Sequence, residues 1–166
     1  GLGSLDQNIN HLLNETDIFS DYTQNTFSFK DVFLKGLAPD GGLFVPKKIP
    51  IFSQKELKEL KNASYNELAA KIILKYCGEE FSEKEIKEIV KKSYQKFRVK
   101  DVVAIKKIGE IDLLELFHGP TLAFKDIAMQ VIGNMYEKIL KKNNLEVTIV
   151  VATSGDTGAA AIDAIK

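Results

Sequence analysis

Residues 147–151 read Val-Thr-Ile-Val-Val, and after Ala152 the loop Thr153-Ser154-Gly155-Asp156-Thr157-Gly158 leads straight into an alanine-rich stretch, residues 159–165. A β-branched apolar run has no polar side to offer solvent, so it suits a strand covered on both faces, as in parallel sheets. Upstream, residues 111–117 read as a strand. Residues 121–140 read as a helix, with Phe124, Ala128, Val131, Met135 and Ile139 on one face. Strand, long helix, strand, glycine loop, helix is a βαβ pattern and predicts an α/β architecture. A further strand over residues 102–105 is expected to pair with 111–117 through a turn at Ile108-Gly109-Glu110. These strands are too few to cover both faces of a sheet, and the last helix reaches Lys166 without a cap, so the domain is expected to be cut short.

The first hundred residues carry helix signals instead. Four Ser-x-x-acid pairs, Ser28/Asp31, Ser53/Glu56, Ser64/Glu67 and Ser82/Glu85, mark four helix starts. The inward residues expected are Phe29, Val32, Phe33 and Leu37 in the first helix and Leu57 and Leu60 in the second. The third presents Leu68, Ala69, Ile72, Ile73 and Tyr76 and ends at Gly78; the fourth presents Ile86, Ile89, Val90 and Phe97. Between the first two, Pro39-Asp40-Gly41-Gly42 signals a turn, followed by an extended apolar piece. The expected division is an extension or tag-derived segment over 1–21, a mainly helical domain over 22–100 and the beginning of a catalytic domain over 101–166.

Charge narrows the partners. Lysine plus arginine and aspartate plus glutamate number 23 each, which gives no reason to expect nucleic acid. Residues 47–107 hold 16 basic and 9 acidic side chains, a surplus that fits the solvated outer faces of Lys/Glu helices. No apolar run approaches the roughly 20 residues a membrane helix needs. Gly1-Leu2-Gly3-Ser4-Leu5-Asp6 lacks the basic start and apolar core of a signal peptide. The single cysteine, Cys77, excludes an internal disulfide and a cysteine-cluster metal site, and points to a cytoplasmic location.

Chemistry concentrates at two strand-to-helix junctions. The first is His118-Gly119-Pro120-Thr121-Leu122-Ala123-Phe124-Lys125-Asp126. Its lysine, on the first turn of a helix and flanked by apolar residues, is either a surface side chain or a nucleophile of the Schiff-base-forming kind. The second is the 153–158 loop, either a glycine turn required by a tight connection or an anion cradle at a helix N-terminus. It has neither the lysine of a P-loop nor the Gly-x-Gly-x-x-Gly spacing.

Gly-Leu-Ala-Pro-Asp-Gly-Gly-Leu-Phe-Val-Pro at 36–46, His-Gly-Pro-Thr-x-x-Phe-Lys-Asp at 118–126 and Ala-Thr-Ser-Gly-Asp-Thr-Gly at 152–158, in that order, resemble the threonine synthase family. That family is of the tryptophan-synthase-β-like fold type II, and the resemblance covers about residues 22–166. It implies a three-layer αβα domain that binds pyridoxal 5′-phosphate, and a reaction of O-phospho-L-homoserine with water to give L-threonine and phosphate. It implies that Lys125 holds the cofactor and moves protons, that Phe124 packs near the ring, and that Asp156 faces the ring's phenolic oxygen. Ser154, Gly155, Asp156 and Thr157 are implied to bind the substrate, while His118 and Thr121 either take part or shape the turn. No metal, nucleic acid or membrane is implied, and the protein is expected to be a monomer or homodimer.

The family's Ser-Thr-Arg segment is replaced here by Tyr22-Thr23-Gln24-Asn25, without the arginine. Its loop for the cofactor phosphate, and the hydroxyl that meets the pyridine nitrogen, fall in the later half of a chain more than twice this length. Two other readings follow: a related lyase acting on another γ-phosphorylated amino acid, and a truncated non-catalytic fragment.

Overall fold

Side-chain caps fix where the helices begin. The computed structural model describes residues 19–20 and 25–165. Ser28 opens α1 (Phe29–Lys35), Ser53 opens α2 (Gln54–Leu60), Ser64 opens α3 (Tyr65–Cys77) and Ser82 opens α4 (Glu83–Tyr94). Each serine oxygen accepts the backbone N–H three residues on, satisfying a donor the helix cannot. At Ser53, Ser64 and Ser82 the glutamate returns a bond to the serine N–H and completes a capping box. Asp31, one methylene shorter, takes the Ser28 hydroxyl instead, at 2.8 Å.

The inward faces follow the sequence pattern in part. In α4, Ile86, Ile89 and Val90 are buried as expected, together with Ser93 and Tyr94; Phe97 lies beyond the helix end and meets the Tyr94 ring edge-on. In α3 the buried pair is Ala70 and Cys77, with Ile73 and Leu74 against the core, whereas Leu68 and Ile72 are exposed. Several apolar stripes were available on α3, and the position of α4 selects this one. In α1, Gly36 ends the helix at φ 73° before Leu37 can join its face; Leu37 is exposed and Leu34 packs in its place. Leu57 of α2 is likewise exposed.

Three two-residue strands, β1 (Phe19–Ser20), β2 (Thr26–Phe27) and β3 (Val45–Pro46), form an antiparallel sheet in the order β2-β1-β3. The turn before β3 closes through Gly41 N–H to Ala38 carbonyl (2.9 Å) and Gly42 N–H to Asp40 Oδ1 (2.8 Å), with Gly41 at φ 82°. The Tyr22-Thr23-Gln24 segment that departs from the family pattern, and the greater part of residues 1–21, lie outside the described residues.

The hairpin is present as β4 (Ala104–Ile108) and β5 (Ile111–Glu115), with Ile108 opposite Ile111 across Gly109-Glu110. Its first strand starts at Ala104 because Val102 takes φ 66°, turning the chain while its side chain is buried. The long helix, α5 (Asp126–Asn143), begins five residues later than expected. Val131, Met135 and Ile139 are its buried residues from the predicted face, while Phe124 precedes it and Ala128 is exposed. The last helix is α6 (Asp156–Ile165).

The expected strand over 146–152 is not formed: residues 145–153 carry no regular structure, and Val150 is 89% exposed. An isolated apolar run has no ladder to complete. The strands β4 and β5 pair with each other, and no described strand pairs with the run.

One core binds the helical first part to α5. Phe81, Ile86, Val90, Val102 and Ile139 are fully buried within it. Polar bonds stitch the same seam: Tyr94 OH donates to the Ile127 carbonyl (3.0 Å), Ser93 Oγ to that of Gln130 (3.1 Å), and Tyr136 OH to that of Phe33 (2.8 Å). The chain is therefore α/β, a mainly helical first part continuing into a hairpin and the α5–α6 pair, and the head of α5 is anchored by that first part.

Candidate active site

The segment 118–126 is a compact turn closed by its own last residue. Asp126, 0% exposed, accepts the Thr121 N–H on Oδ2 at 2.8 Å and the Thr121 hydroxyl on Oδ1 at 2.7 Å. Gly119 lies against that carboxylate so closely that a Cβ there would come within 2.4 Å of Asp126 Cβ and Oδ2. Leu122 adopts φ 65°, a left-handed conformation uncommon for a side chain of this kind, and the Phe124 carbonyl already accepts the Ile127 N–H at 3.2 Å. The turn is thus held from both ends.

Lys125 stands at the start of α5 in helical conformation, half-buried. Its carbonyl accepts the Met129 N–H at 2.9 Å, so its backbone is fixed by the helix. Its Nζ lies 4.5 Å from the centroid of the Phe124 ring, which is 58% exposed. Among the described residues the ammonium forms no ion pair, unlike many of the other lysines. A lysine seated on a rigid backbone, beside an aromatic face and without a carboxylate partner, fits the requirements of a carbonyl-binding amine, as pyridoxal phosphate requires.

His118 is held from below. Its Nε2 lies 2.9 Å from Glu115 Oε2, and Lys106 Nζ lies 2.8 Å from Oε1 of the same carboxylate. The Lys106 bond chiefly, and the His118 bond after it, hold the Glu115 carboxyl below the usual range. The His118 carbonyl accepts the Arg98 N–H at 2.9 Å, tying β5's exit to the segment after α4.

In the 153–158 loop, Thr153 Oγ1 accepts the N–H of Gly155 (3.2 Å) and of Gly158 (3.0 Å). Gly155 has φ 147°, and a Cβ on Gly158 would sit 2.9 Å from Thr153 Oγ1, so both glycines are required by the turn itself. Ser154, Gly155 and Asp156 are exposed and Thr157 is half-buried. In the first turn of α6 the Gly158 N–H is thus taken by Thr153, while those of Asp156 and Thr157 have no carbonyl partner inside the helix.

The structure brings Phe124 to Lys125 and Thr121 to Asp126, and joins α5 to α6 through Gln130 Nε2 donating to Asp163 Oδ2 at 2.8 Å. No described contact links Lys125 to residues 154–157 directly. A groove of about 640 Å³ between α5, α6 and the 147–151 run is lined by none of the predicted site residues. Sequence reading passed over Asp126 and Glu115. The signal for Asp126 was an acid on the first helical turn five residues after a threonine; for Glu115 it was an acid three residues before the histidine.

Residues 20–94 match the family model for the threonine synthase N terminus. The chain is 40% identical over 140 residues to threonine synthase of Pseudomonas aeruginosa, an alignment covering 84% of this chain and 30% of that protein. It is 36% identical over 140 residues to threonine synthase-like 2 of Xenopus laevis, covering 83% and 30%. Among solved structures, the pyridoxal-phosphate-bound threonine synthase of Brucella melitensis superposes with a TM-score of 0.84 at 38% identity, over 89% of this chain and 32% of that one. The chain thus spans about 30% of the length of the relatives it matches. By its match to the N-terminus family model, its 40% identity to a threonine synthase over 84% of its length and its superposition on a solved threonine synthase, it belongs to the threonine synthase family and corresponds to the N-terminal portion of that family's proteins.

Proposed function

We propose that this chain supplies the lysine and the substrate loop of a pyridoxal-phosphate-dependent lyase that converts O-phospho-L-homoserine and water to L-threonine and phosphate. The observation that carries the reading is Lys125, backbone-locked at the head of α5, beside Phe124 and with no carboxylate partner among the described residues. When bound, pyridoxal phosphate supplies the electron sink that makes the α and β protons of the substrate removable. Lys125 would be the base that takes the Cα proton and then moves protons at Cβ as phosphate leaves Cγ. Cγ would take a proton in place of the departed phosphate and a water oxygen would bond to Cβ in place of one of its hydrogens, so that one water is consumed for each phosphate released. Phe124 would pack against the ring. Ser154, Gly155, Asp156 and Thr157 would hold the amino-acid end of the substrate, and Asp156 would also meet the ring's phenolic oxygen.

A second reading, a lyase for another γ-phosphorylated amino acid, is motivated by Tyr22-Thr23-Gln24-Asn25 standing without the family's arginine. Turnover of a panel of phosphorylated amino acids by the full-length protein separates the two. The common premise is tested by borohydride reduction in the presence of pyridoxal phosphate, followed by peptide mapping: a single adduct on Lys125 is expected, and a full-length protein without one overturns both readings.

A further inference from the structure

Asp126 is the one fully buried carboxylate named in this region, and it has no cationic partner among the described residues; its two oxygens are satisfied by one residue, Thr121. Burying a carboxylate is costly unless it is hydrogen-bonded, so the chain keeps one here for what it holds in place. What it holds is the six-residue arc from Thr121 to Asp126, with Lys125 as the residue next to the knot. The same carboxylate bears on Gly119, where no side chain fits, and the arc includes Leu122 in a left-handed conformation that relaxes unless its surroundings enforce it.

Behind Asp126, α5 is immobilised by the bonds from Tyr94 and Ser93. The clasp therefore joins the head of α5 to the turn that leads into it, and the direction in which Lys125 leaves the backbone is set between them. We infer that Asp126 is a positioning residue: by clasping Thr121 through both oxygens it holds the Lys125 amine in the orientation needed to capture a carbonyl and to reach the substrate protons. This inference rests on the reading of Lys125 as the cofactor lysine.

The test uses the full-length enzyme, stripped of cofactor, and follows the rate at which added pyridoxal 5′-phosphate is captured at Lys125, trapped with borohydride and mapped. Steady-state kcat and KM are measured alongside. Asp126→Ala removes both bonds and is expected to slow capture and lower kcat by about tenfold to a hundredfold, the scale of loss from misplacing a reacting group. KM for the phosphorylated substrate should stay within about threefold, because the 153–158 loop is untouched. Asp126→Asn can still accept the Thr121 N–H and donate to its hydroxyl, so it should restore both rates to within about threefold of wild type.

Capture and kcat unchanged in Asp126→Ala overturn the inference. So does an Asp126→Asn variant as impaired as Asp126→Ala, since charge rather than the clasp would then matter. If Asp126→Ala does not fold, Thr121→Val, which keeps the N–H bond and loses the hydroxyl bond, decides instead: wild-type capture overturns the inference, and a loss of about threefold or more supports it. A wild-type enzyme that forms no adduct at Lys125 overturns the parent reading and this one together. A wild-type adduct with indifferent Asp126 variants overturns this one alone.

Discussion

Gly133 of α5 and Ala164 of α6 meet at backbone distance: a Cβ on Gly133 would lie 2.5 Å from the Ala164 carbonyl oxygen and 3.1 Å from its Cβ. The absence of a side chain is what lets the two helices sit so close, and Gln130 to Asp163 is the polar bond that accompanies the approach. Through this contact the helix that follows the substrate-loop candidates is seated on the helix that follows Lys125.

Gly133→Ala tests that seating. Alanine gains about 1 kcal/mol of helix propensity over glycine. The clash is with a backbone carbonyl, which cannot swing aside as a flexible side chain does, so overpacking of about 1–3 kcal/mol opposes the gain. Because the clashing atom is backbone, a net loss of about 1–2 kcal/mol is expected, read from the midpoint of urea unfolding. A variant as stable as wild type would mean that the shift of α6 costs no more than the propensity gain of about 1 kcal/mol.

Ser82→Ala removes one capping box. The serine accepts the Glu85 N–H at 3.3 Å and its own N–H reaches Glu85 Oε2 at 2.9 Å. Loss of the cap should cost about 1 kcal/mol. Because α4 carries Ile86, Ile89 and Val90 into the core, the loss should appear in the global unfolding transition rather than as local fraying. Circular dichroism during denaturant unfolding checks this, and an unchanged midpoint would mean that core packing alone sets the start of α4.

How much was legible in the sequence follows from the range of the forces involved. The four Ser-x-x-acid pairs placed four helix starts because capping is settled within one turn. The hairpin was readable for the same reason: Gly109 at φ 62° and two apolar arms suffice. What failed needed a neighbour. Leu68 and Ile72 are exposed because α4 chose the other side of α3, and the 147–151 run forms no strand because nothing among the described residues pairs with it. Val102, apolar and β-branched, read as strand and instead turns the chain. In the candidate site, Lys125 and the 153–158 loop are singled out by motif. Asp126 was given no role because what distinguishes it is its burial and its bonds to Thr121, which a sequence does not display.

Acid should weaken the helical part in a defined window. The Lys141 and Lys92 ammonium groups hold the Glu137 carboxyl at about 2, against an ordinary 4.5. Bonding to the Ser82 backbone, followed by Lys142, holds Glu85 at about 2, and Lys75 with the Ser53 cap does the same for Glu56. A carboxyl lowered by folding contributes stability that is present above its unfolded value and is lost as pH falls through the folded one. Thermal midpoints should therefore be level above about pH 5 and decline between about 4.5 and 2. Glu137→Gln should flatten part of that decline, and a decline identical in the variant would remove Glu137 from the explanation.

Lys125→Ala and Asp156→Ala should separate holding the cofactor from using the substrate. Without Lys125 the full-length enzyme has no amine at the head of α5, so borohydride-trapped pyridoxal phosphate and nearly all turnover should vanish together. Asp156 is exposed on the first turn of α6, with its backbone shaped by the Thr153 bonds rather than by its own side chain, so its removal leaves the loop standing. The loss should then be one charged contact, about 1.5–3 kcal/mol, or roughly a tenfold to hundredfold fall in kcat/KM for the phosphorylated substrate. Cofactor retention after dialysis should change far less, because the covalent hold is proposed at Lys125. Equal loss of cofactor and of substrate use in Asp156→Ala would show that the loop serves the ring as much as the substrate, and would end the division of labour assigned to the two junctions.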